Sequence, residues 1–180
     1  MTHTYTYACT GPGASLAAVG ALAALPWHLR KVRLRRKDGI SSAMKSNRDI
    51  VTDAFRSWAN GDGYVASIFA DDMTWEITGR SAVSKKYADT QQFIDEVLHP
   101  FGARFSSGDP FRPVSIRAIY DDEDNSTVIV VWDGRGTTTA GTTYHNTYAW
   151  FMTLSGGKVI DGTAFYDSIA FNELWDGVTP

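Results

Sequence analysis

Residues 127–154 read TVIVVWDGRGTTTAGTTYHNTYAWFMTL. Thr127–Thr138 and Thr142–Leu154 are dense in β-branched and aromatic side chains and free of proline, so both read as long strands. In the first, Val128, Val130 and Trp132 share one face and Ile129 and Val131 take the other. A strand apolar on both faces is covered on both. In the second, Tyr144, Asn146, Tyr148, Trp150 and Met152 share one parity, and Thr143, His145, Thr147 and Ala149 the other. The bulky parity suits a concave face under helices. A second copy of the chain is the simplest cover for the opposite face, so a homodimer through the outer sheet face is expected.

Downstream, Ser155-Gly156-Gly157-Lys158 makes a tight hairpin, and Val159–Asp167 forms a further strand. Ser168–Trp175 is a short terminal helix that Asp167 caps. Upstream, Val114–Tyr120 is a strand and Asp121–Ser126 an acidic turn. Earlier still the period changes. Ser46 and Asp49 form a capping box, after which Ile50, Val51, Ala54, Phe55 and Trp58 recur at helical spacing until Asn60-Gly61-Asp62-Gly63. A short helix over Tyr64–Ala70, an alternating strand over Met73–Ile77, and a third helix from the Asp89 cap to Pro100 complete the reading. Helices first and antiparallel strands last describe an α+β domain with its helices on one sheet face.

Composition supports a single core: of the 180 residues, 43% are hydrophobic, 21% charged and 13% aromatic. The lone cysteine, Cys9, excludes an internal disulfide framework and a thiolate zinc cluster. A net charge of −3 offers no footprint for nucleic acid. Charge is nevertheless uneven. Residues 1–43 carry six basic side chains and one acid, and the remainder is correspondingly acidic. The apolar run Ala14–Trp27 falls short of the roughly 20 residues a bilayer requires. Its basic cluster follows rather than precedes it, the reverse of a secretory signal. Residues 1–43 are therefore expected to be a dispensable, poorly ordered extension read from upstream of a start at Met44. Residues 44–180 form the domain, with no membrane role and a cytoplasmic location.

Three short stretches carry a family resemblance: Phe69-Ala70-Asp71-Asp72-Met73-Thr74-Trp75, Gly157-Lys158-Val159-Ile160, and Phe165-Tyr166-Asp167. With the order of elements, they resemble the SnoaL-like branch of the nuclear transport factor 2 (NTF2)-like superfamily, which includes polyketide cyclases, ketosteroid isomerases and limonene epoxide hydrolases. The resemblance spans Met44–Trp175 and implies a cone: a curved antiparallel sheet with helices packed on its concave face. Matched to the isomerases, the catalytic base falls at Ile77, the helix tyrosine at Ala54 or Phe55, and the second aspartate near Ala149. Matched to the epoxide hydrolases, the general-acid aspartate falls on Asp133, their arginine on Val131 and their second aspartate on Ala164. Their tyrosine and asparagine fall on Trp75 and Ile77.

The resemblance to the hydrolases implies that the face bearing Asp133 and Arg135 points inward, with Trp132 on the opposite face. An aspartate in an apolar pocket resists ionisation while a nearby arginine favours it, so Asp133 is the candidate proton carrier. Arg135 would clamp a carboxylate or enolate oxygen. Gly134 and Gly136 alternate with this pair and permit a bend. Tyr148 is the third candidate catalytic residue, and Asn146 and Tyr166 can hydrogen-bond a substrate. Trp75, Ile77 and Trp150 read as pocket walls. Of the histidines, His99 at a helix end and His145 in a strand are the candidate bases, with His145 on the outer parity. No dinucleotide fingerprint, phosphate loop or metal-ligand spacing occurs. The expected function is cofactor-free acid/base chemistry (cyclisation, isomerisation or hydrolysis) on a hydrophobic, oxygenated small molecule. The alternative is a non-catalytic ligand-binding or protein-interaction module of the same fold.

Overall fold

The computed structural model describes Lys45–Pro180. The expected extension, its boundary at Met44, and Cys9, His3 and His28 lie outside the described residues. Helix α1 spans Asn47–Asn60; the Ser46 hydroxyl accepts from the Asp49 backbone N–H and donates to the Asp49 carboxylate, so Ser46 caps the helix without the reciprocal backbone bond of a full capping box. Its buried stripe is Val51, Ala54, Phe55 and Trp58. The helix stops at Gly61, whose φ of 80° is the left-handed conformation that glycine adopts without penalty. The expected second helix is a single 3-10 turn, Val65–Ile68, because strand β1 already begins at Phe69 and runs to Ile77.

A two-residue strand that the sequence reading lacks, β2 (Lys86–Tyr87), edges the sheet. The next helical segment is composite: α2 (Thr90–Phe93), a π-helical turn (Ile94–Leu98), and α3 (His99–Gly102). It passes Pro100, where the sequence reading ends it. That proline opens α3, a position where its missing N–H is tolerated. Strands β3 (Arg112–Asp122), β4 (Thr127–Thr137), β5 (Thr143–Ser155) and β6 (Lys158–Tyr166) follow, then α4 (Ser168–Gly177). Asp167 caps α4 as expected, accepting from the backbone of Ile169 and Ala170.

The six strands form one curved sheet in the order β2-β1-β6-β5-β4-β3. Strands β3 to β6 make an antiparallel meander, but β1 pairs with β6 in parallel. The sheet is therefore mixed where antiparallel pairing was expected. Alternation tells which face a side chain takes and says nothing of the direction of a neighbouring strand. Helix α1 packs Phe55 and Trp58 onto Trp132 and Trp150, so the helices cover the face to which the bulky β5 parity points. No described helix is long and apolar enough to cross a membrane.

Register settles the faces. Trp132 pairs directly with Tyr148 and Asp133 with Thr147. Directly opposed residues share a face. Trp132 is accordingly fully buried under the helices, its ring stacked on that of Tyr148 with centroids 4.4 Å apart. Asp133 lies on the outer face. The expected assignment of Trp132 outward and Asp133 inward is thus reversed, because it rested on one aligned residue while the antiparallel register ties β4 to β5. Gly134 belongs to the inner parity and makes room there for Phe111: a Cβ at Gly134 would lie 2.1 Å from the Phe111 ring.

Candidate functional site

The inner face and the helices enclose a cavity of about 500 Å³. Its walls are aromatic and come from distant parts of the chain: Trp58 from α1, Trp75 from β1, Phe93 from α2, Trp132 from β4, and Tyr148 and Trp150 from β5. Ile77 and Tyr166 complete the sides at the ends of β1 and β6, with Phe171 of α4 beside them. Rings stack or meet edge-on throughout, Trp75 against Phe93 at 5.1 Å and Trp132 against Trp150 at 5.2 Å. The buried indole N–H groups of Trp75, Trp132 and Trp150 find no hydrogen-bond acceptor among the described residues.

Solvent-exposed lining residues mark the mouth: Gly61, Gly63, Tyr64, His99 and Gly102, with half-buried Arg112 just inside. Val97 and Leu98 of the π-helical turn and His99, which opens α3, line the wall consecutively. One-turn π insertions of this kind occur often at functional sites. The His99 imidazole sits 3.7 Å from Asp95 one turn back.

Polar groups within the walls are phenolic. The Tyr148 hydroxyl lies 3.1 Å from that of Tyr144, which accepts from the Asn146 side-chain amide at 2.9 Å. That amide also donates to the Asp167 carbonyl, so Asn146 ties the phenol pair to the start of α4 from behind the cavity wall. The Tyr166 hydroxyl is 2.8 Å from the Ser81 hydroxyl. Burial pushes the Tyr148 phenol well above its ordinary value and raises Tyr144 and Tyr166 as well. These hydroxyls stay protonated and neutral across the physiological range. No aspartate or glutamate lines the cavity among the described residues, and no cluster of metal-ligating side chains occurs among them.

The expected site residues therefore divide. Trp75, Ile77, Trp150, Tyr148 and Tyr166 come together in the cavity. Asn146 stands behind it. Asp133 and Arg135 are not in it and do not pair with each other. Asp133 accepts from Arg117 Nε at 2.7 Å and from the Thr147 hydroxyl at 2.7 Å. The Arg117 hydrogen bond holds its carboxyl below the usual carboxylate value, although burial alone would raise it. Arg135 lies 3.7 Å from Asp109 near the strand end. Asp133 is largely covered, while the side chains of Arg117, Arg135 and Asp109 remain about half exposed to water. His145 pairs with Arg135 on the exposed face, in line with its outer parity. Sequence reasoning missed Trp132 as a wall because its parity was assigned to the other face. It missed Phe111 and Arg112 because they precede the first residue read as strand.

The sequence matches no protein-family model and no curated protein. Solved structures do match. An NTF2-like protein from Burkholderia thailandensis is 18% identical, with a TM-score of 0.59 over 73% of this chain and 98% of that one. A protein proposed to be a polyketide cyclase, from Pseudomonas putida, is 15% identical, with a TM-score of 0.55 over 72% of this chain and 98% of that one. A proposed isomerase from Bacillus subtilis is 13% identical, with a TM-score of 0.57 over 74% of this chain and 97% of that one. With its curved, unclosed six-stranded sheet and its helices on one face, the chain has the fold of the NTF2-like superfamily.

Proposed function

We propose that the cavity binds a hydrophobic, oxygen-bearing small molecule and moves protons on it without a cofactor, in the manner of an isomerase or cyclase. The observation that carries this reading is an open aromatic cavity holding neutral phenols inside and one imidazole at its mouth. Flat rings favour a flat ligand body through stacking and burial. The Tyr144 hydroxyl, accepting from Asn146, can donate its single proton to Tyr148. That leaves the Tyr148 proton for a ligand oxygen, and a phenol donating to a carbonyl favours enolisation beside it. Tyr166 is the second such donor, and His99 is the imidazole placed to take or return a proton. The proposed polyketide cyclase and isomerase among the solved structures of this fold support the same class of chemistry. Hydrolysis in the epoxide-hydrolase manner loses its acid, since Asp133 faces outward.

One observation favours the non-catalytic alternative, a ligand-binding module: among the described residues the lining holds no carboxylate to serve as a general base. Hydrogen–deuterium exchange at the α-carbon of 2-tetralone, followed by NMR in D₂O, separates the two. Proton-transfer chemistry predicts exchange faster than in buffer, falling roughly 10²-fold in Tyr148→Phe or His99→Gln, the usual worth of a positioned acid or base. Binding of the ketone without accelerated exchange would establish the binding module instead.

We also propose that two copies pair through the outer sheet face. Tyr120, Phe151 and Phe165 stand exposed there beside half-buried Ile129, Val131 and Ala149. A contiguous exposed apolar band on one face is the mark of an interface.

A further inference from the structure

Arg112 differs from every other arginine of the described chain. Arg56, Arg117 and Arg135 face carboxylates, and Arg104 donates to the Trp175 and Pro100 carbonyls while lying over the Trp175 ring. Arg48 and Arg80 are exposed to water. Arg112 is half-buried in the cavity lining, yet among the described residues it has neither a carboxylate partner nor a side-chain hydrogen bond. Its guanidinium donors are therefore not taken up by any described side chain or carbonyl.

The guanidinium lies against Gly61, where an added Cβ would be 2.9 Å from Nη1 and 3.1 Å from Cζ. Gly61 is the C-cap of α1, so the cation rests at the end of a 14-residue helix where the macrodipole is negative. Glycine there lets the fork approach the backbone, and both residues line the cavity. The lining offers this cation no competing acid, although the domain as a whole is strongly acidic.

We propose that the cavity selects a flat aromatic carboxylic acid, bound as its carboxylate, with the rings among Trp58, Trp132 and Trp150 and the carboxylate on Arg112. This rests on the reading of the cavity as the ligand site and adds the charge of the ligand. A planar guanidinium matches a carboxylate with two parallel N–H···O bonds, which an amide of the same shape does not match. The arrangement also gives the ligand a direction, anion at the mouth and apolar end among the tryptophans.

The probes are 2-naphthoate and its neutral isostere 2-naphthamide, titrated calorimetrically into the full chain at neutral pH. The wild type should bind the carboxylate at least about tenfold more tightly, the worth of a hydrogen bond to a charged group. Arg112→Gln should abolish that preference by weakening the carboxylate far more than the amide, and Arg112→Lys should retain part of it. Should Arg112→Gln fail to fold, the wild-type ratio and the lysine variant decide alone. Equal affinity for the two probes in the wild type, or a preference that survives Arg112→Gln, would overturn the proposal and leave the cavity reading intact. Binding of neither probe would overturn both.

Discussion

Replacing Trp132 by alanine tests the inner face of the sheet at its centre. Its side chain is fully buried and touches five other rings: it stacks on Tyr148 and meets Phe55, Trp58, Trp150 and Phe111 at centroid distances of 5.2–6.0 Å. Truncating a buried aromatic residue costs about 3–5 kcal/mol, and complete burial with several ring partners places this site near 4 kcal/mol. Domains of this size have about 5–15 kcal/mol in total, so the variant should fold but only marginally. With a urea slope of about 2 kcal/mol per molar, the unfolding midpoint should fall by about 2 M. Denaturation followed by far-UV circular dichroism reads this directly. A loss below about 1 kcal/mol would refute the assignment, since it would mean that the ring lies on a weakly packed outer surface.

The charged neighbour should behave in the opposite way. Asp133→Asn should leave α-proton exchange of 2-tetralone at the wild-type rate, because its carboxylate faces Arg117 and Thr147 outside the cavity. Its cost should appear at neutral pH and fade at acid pH. A carboxyl with a depressed folded-state pKa contributes stability above its unfolded value of 3.8, and that contribution fades as pH falls through the lower folded value. Asp133→Asn should therefore be less stable than wild type at neutral pH and show a shallower stability decline below pH 3.8. The buried phenols give the alkaline counterpart. Groups with raised folded-state values stabilise fully below their unfolded value of 10.0 and lose that contribution above it, so unfolding should set in as pH rises past 10.0. Replacing Tyr148 and Tyr166 together by phenylalanine should move that limit upward in thermal melts recorded against pH. Phe165→Glu should convert a dimer to a monomer in light scattering, with far-UV dichroism unchanged; a dimer that persists would place the interface elsewhere.

Much of the fold was legible because it rests on local rules. The cap at Ser46, the stop at Gly61, the cap at Asp167 and the hairpin at Gly156-Gly157 each depend on a few adjacent residues and form where those residues stand. The bulky β5 parity also faces the helices as its side chains require. What sequence could not supply was the link between strands. Tyr148 was placed inward and Trp132 outward, although direct pairing in an antiparallel register puts both on one face. A single aligned aspartate outweighed that constraint, and the candidate catalytic pair moved with it. The parallel β1–β6 pairing and the π-helical turn were equally hidden, since each depends on contacts between segments distant in sequence or on a local ladder shift without a residue signature. Arg112 could have been found only by asking which cation the fold leaves without an acid.

The central claim is that the aromatic cavity between the sheet and the helices is where the ligand sits. Its most direct test is the ¹H–¹⁵N spectrum of the indole N–H groups while 2-naphthamide is added. Trp75, Trp132 and Trp150 line the cavity with N–H groups that no acceptor holds, whereas Trp175 lies outside the lining. The account predicts that the resonances of Trp75, Trp132 and Trp150 shift together and saturate at one equivalent, with Trp175 unmoved. Saturable shifts confined to Trp175, or no shift at any of the four, would contradict it.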